Sequence, residues 1–264
     1  MSDAIDEHLI WCAAAGLMDK TLQMRRRILT RVEHDLGPLL DLTGGQITEW
    51  LARPGWAQWT RYGYRSNLAA FYAWTILTER LTRDPMTQVG RPRIPKGLPR
   101  PAPVDVIEAV IADGVEPWPT VALLGCYAGL RAGDICTIRR EDVDQRVIRI
   151  WQGKGRKDAE LPTHERIWRH IKDRPAGLLV IGPHGRSIRA GDLSTRFGDY
   201  LERRGLPHIT PHQLRHRYGT ALYQKTRDLL LVKELMRHED VSTTQIYAQL
   251  ADETRAAAIR ELTL

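Results

Sequence analysis

The chain has no long apolar run. Its best, VALLGCYAGL at 121–130, is about half of the ~20 residues that a bilayer span requires. It also lacks the basic start of a secretory leader, since MSDAIDEHLIW is acidic. Cysteine is scarce and odd in number. Cys12, Cys126 and Cys136 are scattered, which fits neither a disulfide framework nor a zinc site, so a cytoplasmic setting with buried, reduced thiols is expected. There is no GxxxxGK[ST] loop for nucleotide phosphates. His212 and His216 lie four apart, but Gln213 stands where a zincin's HExxH needs Glu, so no metal is expected. No internal repeat is visible. What remains is an ordinary globular composition, 42% hydrophobic and 27% charged, over 264 residues. That is enough for one large domain or two modest ones.

The net charge of +7 is unevenly placed. Residues 1–90 carry ten basic and ten acidic groups, whereas Arg91, Arg93, Lys96 and Arg100 fall within 91–103 with no acid among them. A basic cluster of this kind is the footprint of a polyanion partner; a solvated basic linker has the same composition, and charge alone leaves both readings open. The same segment, GRPRIPKGLPRPAP at 90–103, holds five prolines and two glycines. It should be extended and stiff, dividing a domain at 1–89 from one at 104–264.

The first ninety residues read as helices. Apolar positions at helical spacing place one over 3–16. A second follows a cap at Asp19 or Thr21 and stops at Gly37-Pro38, with Leu22, Ile28, Leu29, Val32 and Leu36 inward. Gln46–Ala52 is short and Gln58–Leu81 long, the latter with Tyr64, Leu68, Phe71, Tyr72 and Ile76 on one face. Trp50, Trp56, Trp59 and Trp74 enrich this part, and they are read as core packing rather than as stacking on DNA. Arg25, Arg26, Arg61 and Arg65 form a basic face. The second domain begins with helices at Val104–Asp113, Trp118–Ala128 and Arg131–Ile138. VIRIW (147–151) and AELP (159–162) make a hairpin across GKGRKD, followed by a helix at 163–172, a strand LLVIG at 178–182 and a helix at 191–204. Thr210-Pro211 starts another helix, LLLVKELM forms the next up to His238, Ser242 opens a third, and DETRAAAIRELTL is amphipathic. The fold class is therefore mainly α: an all-helical first domain and a mostly helical α+β second domain with a small antiparallel sheet.

Six polar residues acquire meaning together. Arg131 follows a glycine turn in GLRAGD, Lys154 lies between glycines at the hairpin tip, and His212 and Arg215 share a helix face. His238 closes the apolar helix, with Tyr247 nine residues on. Each has an ordinary structural explanation alone. Combined, they supply guanidinium groups to clamp non-bridging phosphate oxygens. They also supply donors for a departing alkoxide and a phenol, unreactive near its free pKa of about 10 unless a base and a cationic field activate it. This is an inventory for phosphodiester transfer without metal.

These residues stand in boxes that resemble those of the tyrosine recombinases, the phage integrase and Xer-type family. GLRAGDI is similar to the family's first catalytic Arg motif, GKGRK to its hairpin Lys, HQLRH to its HxxR box and LMRHEDVSTTQIY to its LGHxxxxTTxxY box. The order and intervals also fit, and the likeness runs from about residue 5 to the end. It implies a core-binding domain followed by a catalytic domain, with no arm-binding domain and hence simple core sites. Arg131 and Arg215 would hold the scissile phosphate, Tyr247 would attack it to give a 3′-phosphotyrosyl link, and Lys154 would protonate the leaving 5′ oxygen. His212 would act as acid/base, His238 would hydrogen-bond the phosphate, and Asp134 would orient the set. Lys154, not Lys157, matches the family's hairpin cation, because the family places its Lys between glycines. Arg237 departs from the family's usual Gly before the His.

The resemblance implies duplex DNA as partner, with the two domains and the strap as a clamp held by Arg91, Arg93, Lys96, Arg100 and the basic face. Such contacts would be largely to phosphate and salt-dependent. It further implies a homotetramer on DNA, with the terminal helix docking on a neighbour or folding back on its own domain, an accessory directionality protein, and residence with the nucleoid of a bacterial or phage-infected cell. Integration or excision of a mobile element is the first reading, and Xer-like resolution of chromosome or plasmid dimers the second. A catalytically idle DNA-binding regulator is the alternative of another class, and a type IB topoisomerase shares the chemistry.

Overall fold

The computed structural model describes residues 3–94, 100–151, 158–182 and 185–238. The chain divides into two compact units, Met1–Lys96 and Gly97–Leu264. The expected class, mainly helical with a small antiparallel sheet, is what the two units have.

The first unit contains α1 (Asp3–Ala14), α2 (Asp19–Leu36), α3 (Gly44–Leu51) and α4 (Gln58–Leu77). Their apolar stripes meet in one core that includes Ile5, Leu9, Leu29, Val32, Ile47, Leu68, Phe71 and Tyr72. The Tyr72 hydroxyl, buried with its ring, donates to the Leu39 carbonyl at 2.7 Å. Trp50 packs edge-on against Trp56 and Tyr64, with ring centroids 4.7 and 4.9 Å apart, and Trp74 is buried as expected. Trp59 is the exception, 64% exposed on the first turn of α4.

Several helix boundaries differ from the sequence reading. α2 begins at Asp19 with Met18 as its uncapped N-cap, so neither Asp19 nor Thr21 caps it. α3 starts two residues early because Thr43 and Gln46 form a reciprocal capping box, with Gln46 N–H to Thr43 Oγ1 at 3.3 Å and Thr43 N–H to Gln46 Oε1 at 2.9 Å. α4 stops four residues short of Leu81, because Glu79 adopts a left-handed φ of 57° that no helix can continue through.

The second unit is built around α6 (Trp118–Tyr127), buried along Pro119–Cys126. A helix that is apolar on every side belongs in the interior. α5 (Val104–Asp113), α8 (Glu165–Ile171) and α10 (Pro211–Thr226) pack against it. Gly125 lets α10 come close, since a Cβ there would lie 2.7 Å from the Leu214 Cβ. α7 (Ala132–Thr137), α9 (Ala190–Arg203) and α11 (Leu229–Leu235) complete the helices.

The expected hairpin is present as β1 (Val147–Ile150) and β2 (Ala159–Pro162), antiparallel in the register Val147↔Pro162 to Ile150↔Ala159. LLVIG is not a strand. Leu178 bridges Arg139 and Ile181 bridges Ser187, so the partner changes within four residues and no ladder forms. All three cysteines are free and buried, and burial pushes Cys126 up to about 12 and Cys136 up to about 11. Among the described residues, no helix is long and apolar enough to cross a membrane.

Candidate active site

Three chain turns converge on the site. The first is the entry to α10. Thr210 Oγ1 accepts from Gln213 N–H at 3.3 Å while Gln213 Oε1 accepts from Thr210 N–H at 2.9 Å, and Pro211 occupies the first helical position. The residue that rules out HExxH is thus the second half of a capping box. With the helix start fixed, His212, Arg215 and His216 share one face, and the His212 and His216 rings meet edge-on at 4.3 Å.

The second turn is Gly129-Leu130. Gly129 has φ 60°, and a Cβ there would fall 2.4 Å from Tyr218, so glycine is required both for the backbone conformation and for the contact. Its carbonyl, turned inward, accepts from Arg215 Nη1. Arg131 follows as the N-cap of α7, and its backbone N–H donates to Asp134 Oδ2 at 3.1 Å.

The third turn closes α11. Asp228 caps the helix start by accepting from Leu230 N–H at 2.8 Å and Leu231 N–H at 3.1 Å. At the other end Arg237 N–H donates to Glu234 O at 2.8 Å and His238 N–H to Lys233 O at 3.0 Å, with Arg237 at φ 52°. This is the Schellman pattern, whose left-handed residue is usually glycine. The turn presents two successive carbonyls: Met236 O accepts from Arg215 Nη2, and Arg237 O accepts from Arg131 Nη2 at 2.6 Å. The Arg237 guanidinium pairs with Asp134 Oδ2.

Arg215 is only 3% exposed. Both it and Arg131 are oriented by carbonyl dipoles, which position a guanidinium without cancelling its charge. The histidines register that charge. Burial, then the repulsion of Arg215, Arg131, His216 and His212, pushes His238 down to about 4. Burial, His212 and Arg215 bring His216 to about 4, and burial with Arg215 lowers His212. All three are neutral imidazoles at neutral pH. Among the described residues, no group of three or more His, Cys, Asp or Glu is arranged to hold a metal ion.

Arg131, His212, Arg215, His238 and Asp134 are therefore brought together. Lys154, Tyr247, Lys157 and Ser242 lie outside the described residues, as do Lys96 and the terminal amphipathic segment. Arg91, Arg93 and Arg100 are exposed. The basic face of the first unit is less uniform than its spacing suggests. Arg25 turns toward Cys12 Sγ at 2.9 Å and His8 Nε2 at 3.5 Å, and Arg26 meets Asp6 at 2.5 Å. Arg61 rests on the Arg53 carbonyl at 3.0 Å, and Arg65 on those of Val89 and Gly90 at 3.0 and 2.8 Å. Sequence reading missed one residue and left a second without a role. Arg217 Nε donates to the Ala102 carbonyl at 2.7 Å, fixing the end of the strap to α10. Arg237, noticed only as a departure, is the residue at which the site closes. Its signal was available: the position just past an apolar helix and before His238 is where a left-handed residue belongs.

The model of the phage integrase family matches residues 119–254, just over half of the chain. The tyrosine recombinase XerC of Chromohalobacter salexigens is 29% identical over 203 residues, 70% of this chain and 68% of that protein. A tyrosine recombinase of Thermosipho africanus is 28% identical over 210 residues, 75% of this chain and 74% of that one. Among solved structures, a lambda integrase (75–356) dimer bound to a COC′ core site shares the fold, with TM-score 0.75 over 94% of each chain at 19% identity. The chain belongs to the phage integrase family, whose members named here are tyrosine recombinases.

Proposed function

We propose that this site-specific DNA recombinase cleaves and rejoins duplex DNA through Tyr247, with Arg131 and Arg215 clamping the scissile phosphate. The carrying observation is that both guanidiniums rest on neutral carbonyls of adjacent residues, Arg237 and Met236. Two guanidinium groups held in place by backbone carbonyls then face whatever binds beside His238, and a phosphodiester suits their charge and shape. Guanidinium groups are also well shaped to stabilise the extra negative charge of a pentavalent transition state.

The Tyr247 oxygen forms a bond to phosphorus as the bond to the 5′ oxygen breaks. The phenolic proton passes to the neutral imidazole of His212, and the departing oxygen takes a proton from Lys154. The products are a 3′-phosphotyrosyl link and a free 5′-hydroxyl. Attack by a 5′-hydroxyl from another strand reverses the step, and because the phosphodiester energy is kept in the covalent link no ATP is needed. His238 donates a hydrogen bond to the phosphate, and Asp134 orients Arg131.

Residues 1–89 serve as the core-binding domain, 90–103 as a strap on the phosphates and 104–264 as the catalytic domain. The exposed Arg91, Arg93 and Arg100 support the strap assignment. Assembly on DNA is a homotetramer in which the C-terminal segment docks on a neighbour, with an accessory protein setting direction. Integration or excision of a mobile element is the physiological role favoured by the match to the integrase family. The relatives named XerC support dimer resolution as the second reading.

The test uses a nicked suicide substrate carrying the recombination site recovered from DNA flanking the gene. Wild-type protein should form a covalent protein–DNA adduct, and Tyr247→Phe should bind the site with unchanged affinity and form none. Undiminished adduct in that variant would overturn Tyr247 as nucleophile, and tight binding without adduct by the wild type would indicate a regulator. Recombination at a site beside the gene favours the mobile-element role; recombination at a chromosome-dimer site favours the Xer-like one.

A further inference from the structure

We infer that Arg237 is a positioning residue for the phosphate clamp, acting on Arg131 through its ion pair with Asp134; this rests on the assignment of Arg131 and Arg215 proposed above. Arg237 occupies the one place in the α11 turn where a side chain is disfavoured, at φ 52°. A left-handed backbone crowds Cβ against the following carbonyl, which is why glycine is usual there. Arginine at this position needs a compensating contact, and the structure supplies one. Its guanidinium, with a side chain only 13% exposed, pairs with Asp134.

Asp134 Oδ2 is also the atom that accepts from the Arg131 backbone N–H at 3.1 Å. The Arg237 carbonyl accepts from the Arg131 side chain at 2.6 Å. Arg131 is thus held at both ends by one residue, at its backbone through Asp134 and at its guanidinium through the Arg237 carbonyl. A closed loop of hydrogen bonds joins residues more than a hundred positions apart.

The loop has an electrostatic result as well as a geometric one. Asp134 is buried beside Arg131, and a carboxylate there would draw on the charge that Arg131 is to offer the phosphate. Arg237 supplies that carboxylate with its own counter-ion. Arg131 then contributes only a backbone N–H to Asp134, and its guanidinium charge stays directed to the phosphate. Arg237 touches no reacting atom in this scheme. Replacing it with the glycine natural to the turn relieves the backbone and leaves Asp134 facing Arg131 alone.

The test measures adduct formation at saturating nicked DNA, together with site affinity, for Arg237→Gly and Arg237→Lys, each with Arg131 intact and in an Arg131→Lys background. Arg237→Gly should slow the adduct step about 10- to 100-fold while affinity stays within about twofold, and Arg237→Lys should recover most of the loss. With Arg131→Lys the cost of Arg237→Gly should shrink to less than about threefold, because residues acting through one another are not additive. Asp134→Asn should slow the step similarly, and combining it with Arg237→Gly should add little. Equal losses in both Arg131 backgrounds would overturn the inference, as would an Arg237→Gly protein as fast as wild type. A wild-type protein that forms no adduct would overturn the proposed function itself, so the two failures are distinguishable.

Discussion

In the first unit arginine commonly meets acid. Arg26 lies 2.5 Å from Asp6, Arg31 and Arg53 share Asp35 at 3.0 and 2.8 Å, and Arg80 pairs with Glu7. Around the candidate site of the second unit, Arg131 and Arg215 meet carbonyls, and the nearby carboxylate of Asp134 is matched by a third arginine. A carboxylate neutralises a guanidinium as it orients it, whereas a carbonyl orients it and leaves the charge. The first arrangement contributes modestly to stability, about 0–1 kcal/mol per exposed pair. In the second, burial first and then the positive potential of the arginines lower three histidines. The comparison also divides the first unit's own basic residues, because Arg61 and Arg65 are carbonyl-held and Arg26 is not.

The largest expected effect comes from removing a carbonyl-held arginine at the site. Arg215→Ala or Arg131→Ala should cost on the order of 4 kcal/mol or more of transition-state stabilisation, a loss of roughly a thousandfold. Arg26→Ala should leave cleavage near wild type. Rates of adduct formation measure both, and comparable losses would break the distinction between the two kinds of arginine.

The next effect concerns buried histidine. His8 is fully buried among the rings of Phe71, Trp74 and Trp11, next to Cys12 and Arg25. Burial, and then Arg25, pushes it down to about 4 from its ordinary 6.5. Because the folded value is the lower one, the stabilisation is complete above pH 6.5 and is lost as pH falls toward 4. The loss is up to about 3 kcal/mol. Urea unfolding between pH 7.5 and 4.5 should show it, and His8→Gln should flatten the curve for the first unit. His238 reaches the same depressed value beside a cationic site, so a bound phosphate should raise it again, and DNA binding should tighten on mild acidification. A pH-independent affinity would count against phosphate binding beside His238.

The smallest effect separates arginines of similar exposure. Arg65→Ala should lower the salt slope of DNA binding by about 1, as expected for one lost phosphate contact, while Arg26→Ala should leave it unchanged. Affinities across a salt series decide this. Equal slopes for both variants would mean that the kind of partner does not govern availability to DNA.

What the sequence made legible was local chemistry. Thr210-Pro211 announces α10 because a cap and a first-turn proline act within one turn, and Gly129 announces the turn that aims Arg131. The prolines of 90–103 mark a break by removing backbone donors. Features that depend on distant partners were not legible. LLVIG has the composition of a strand, but its two bridging partners lie in different segments. The face expected from Arg25, Arg26, Arg61 and Arg65 is divided by contacts with Cys12, Asp6 and backbone carbonyls that helical spacing does not encode. Arg237 combines both cases: its place in the α11 turn could be inferred from neighbouring residues, but its pairing with Asp134 needed the folded chain.

The strap's last residues have a mechanical consequence. Ala102 N–H donates to the Gln213 carbonyl at 3.1 Å, and its own carbonyl accepts from Arg217 at 2.7 Å. Both attachments lie on α10, on either side of Arg215. A displacement of Ala102 would therefore be delivered to the helix that carries His212 and Arg215. The close seat of Leu214 on Gly125 resists sliding of that helix. A shift of Ala102 would thereby bear on the aim of Arg215.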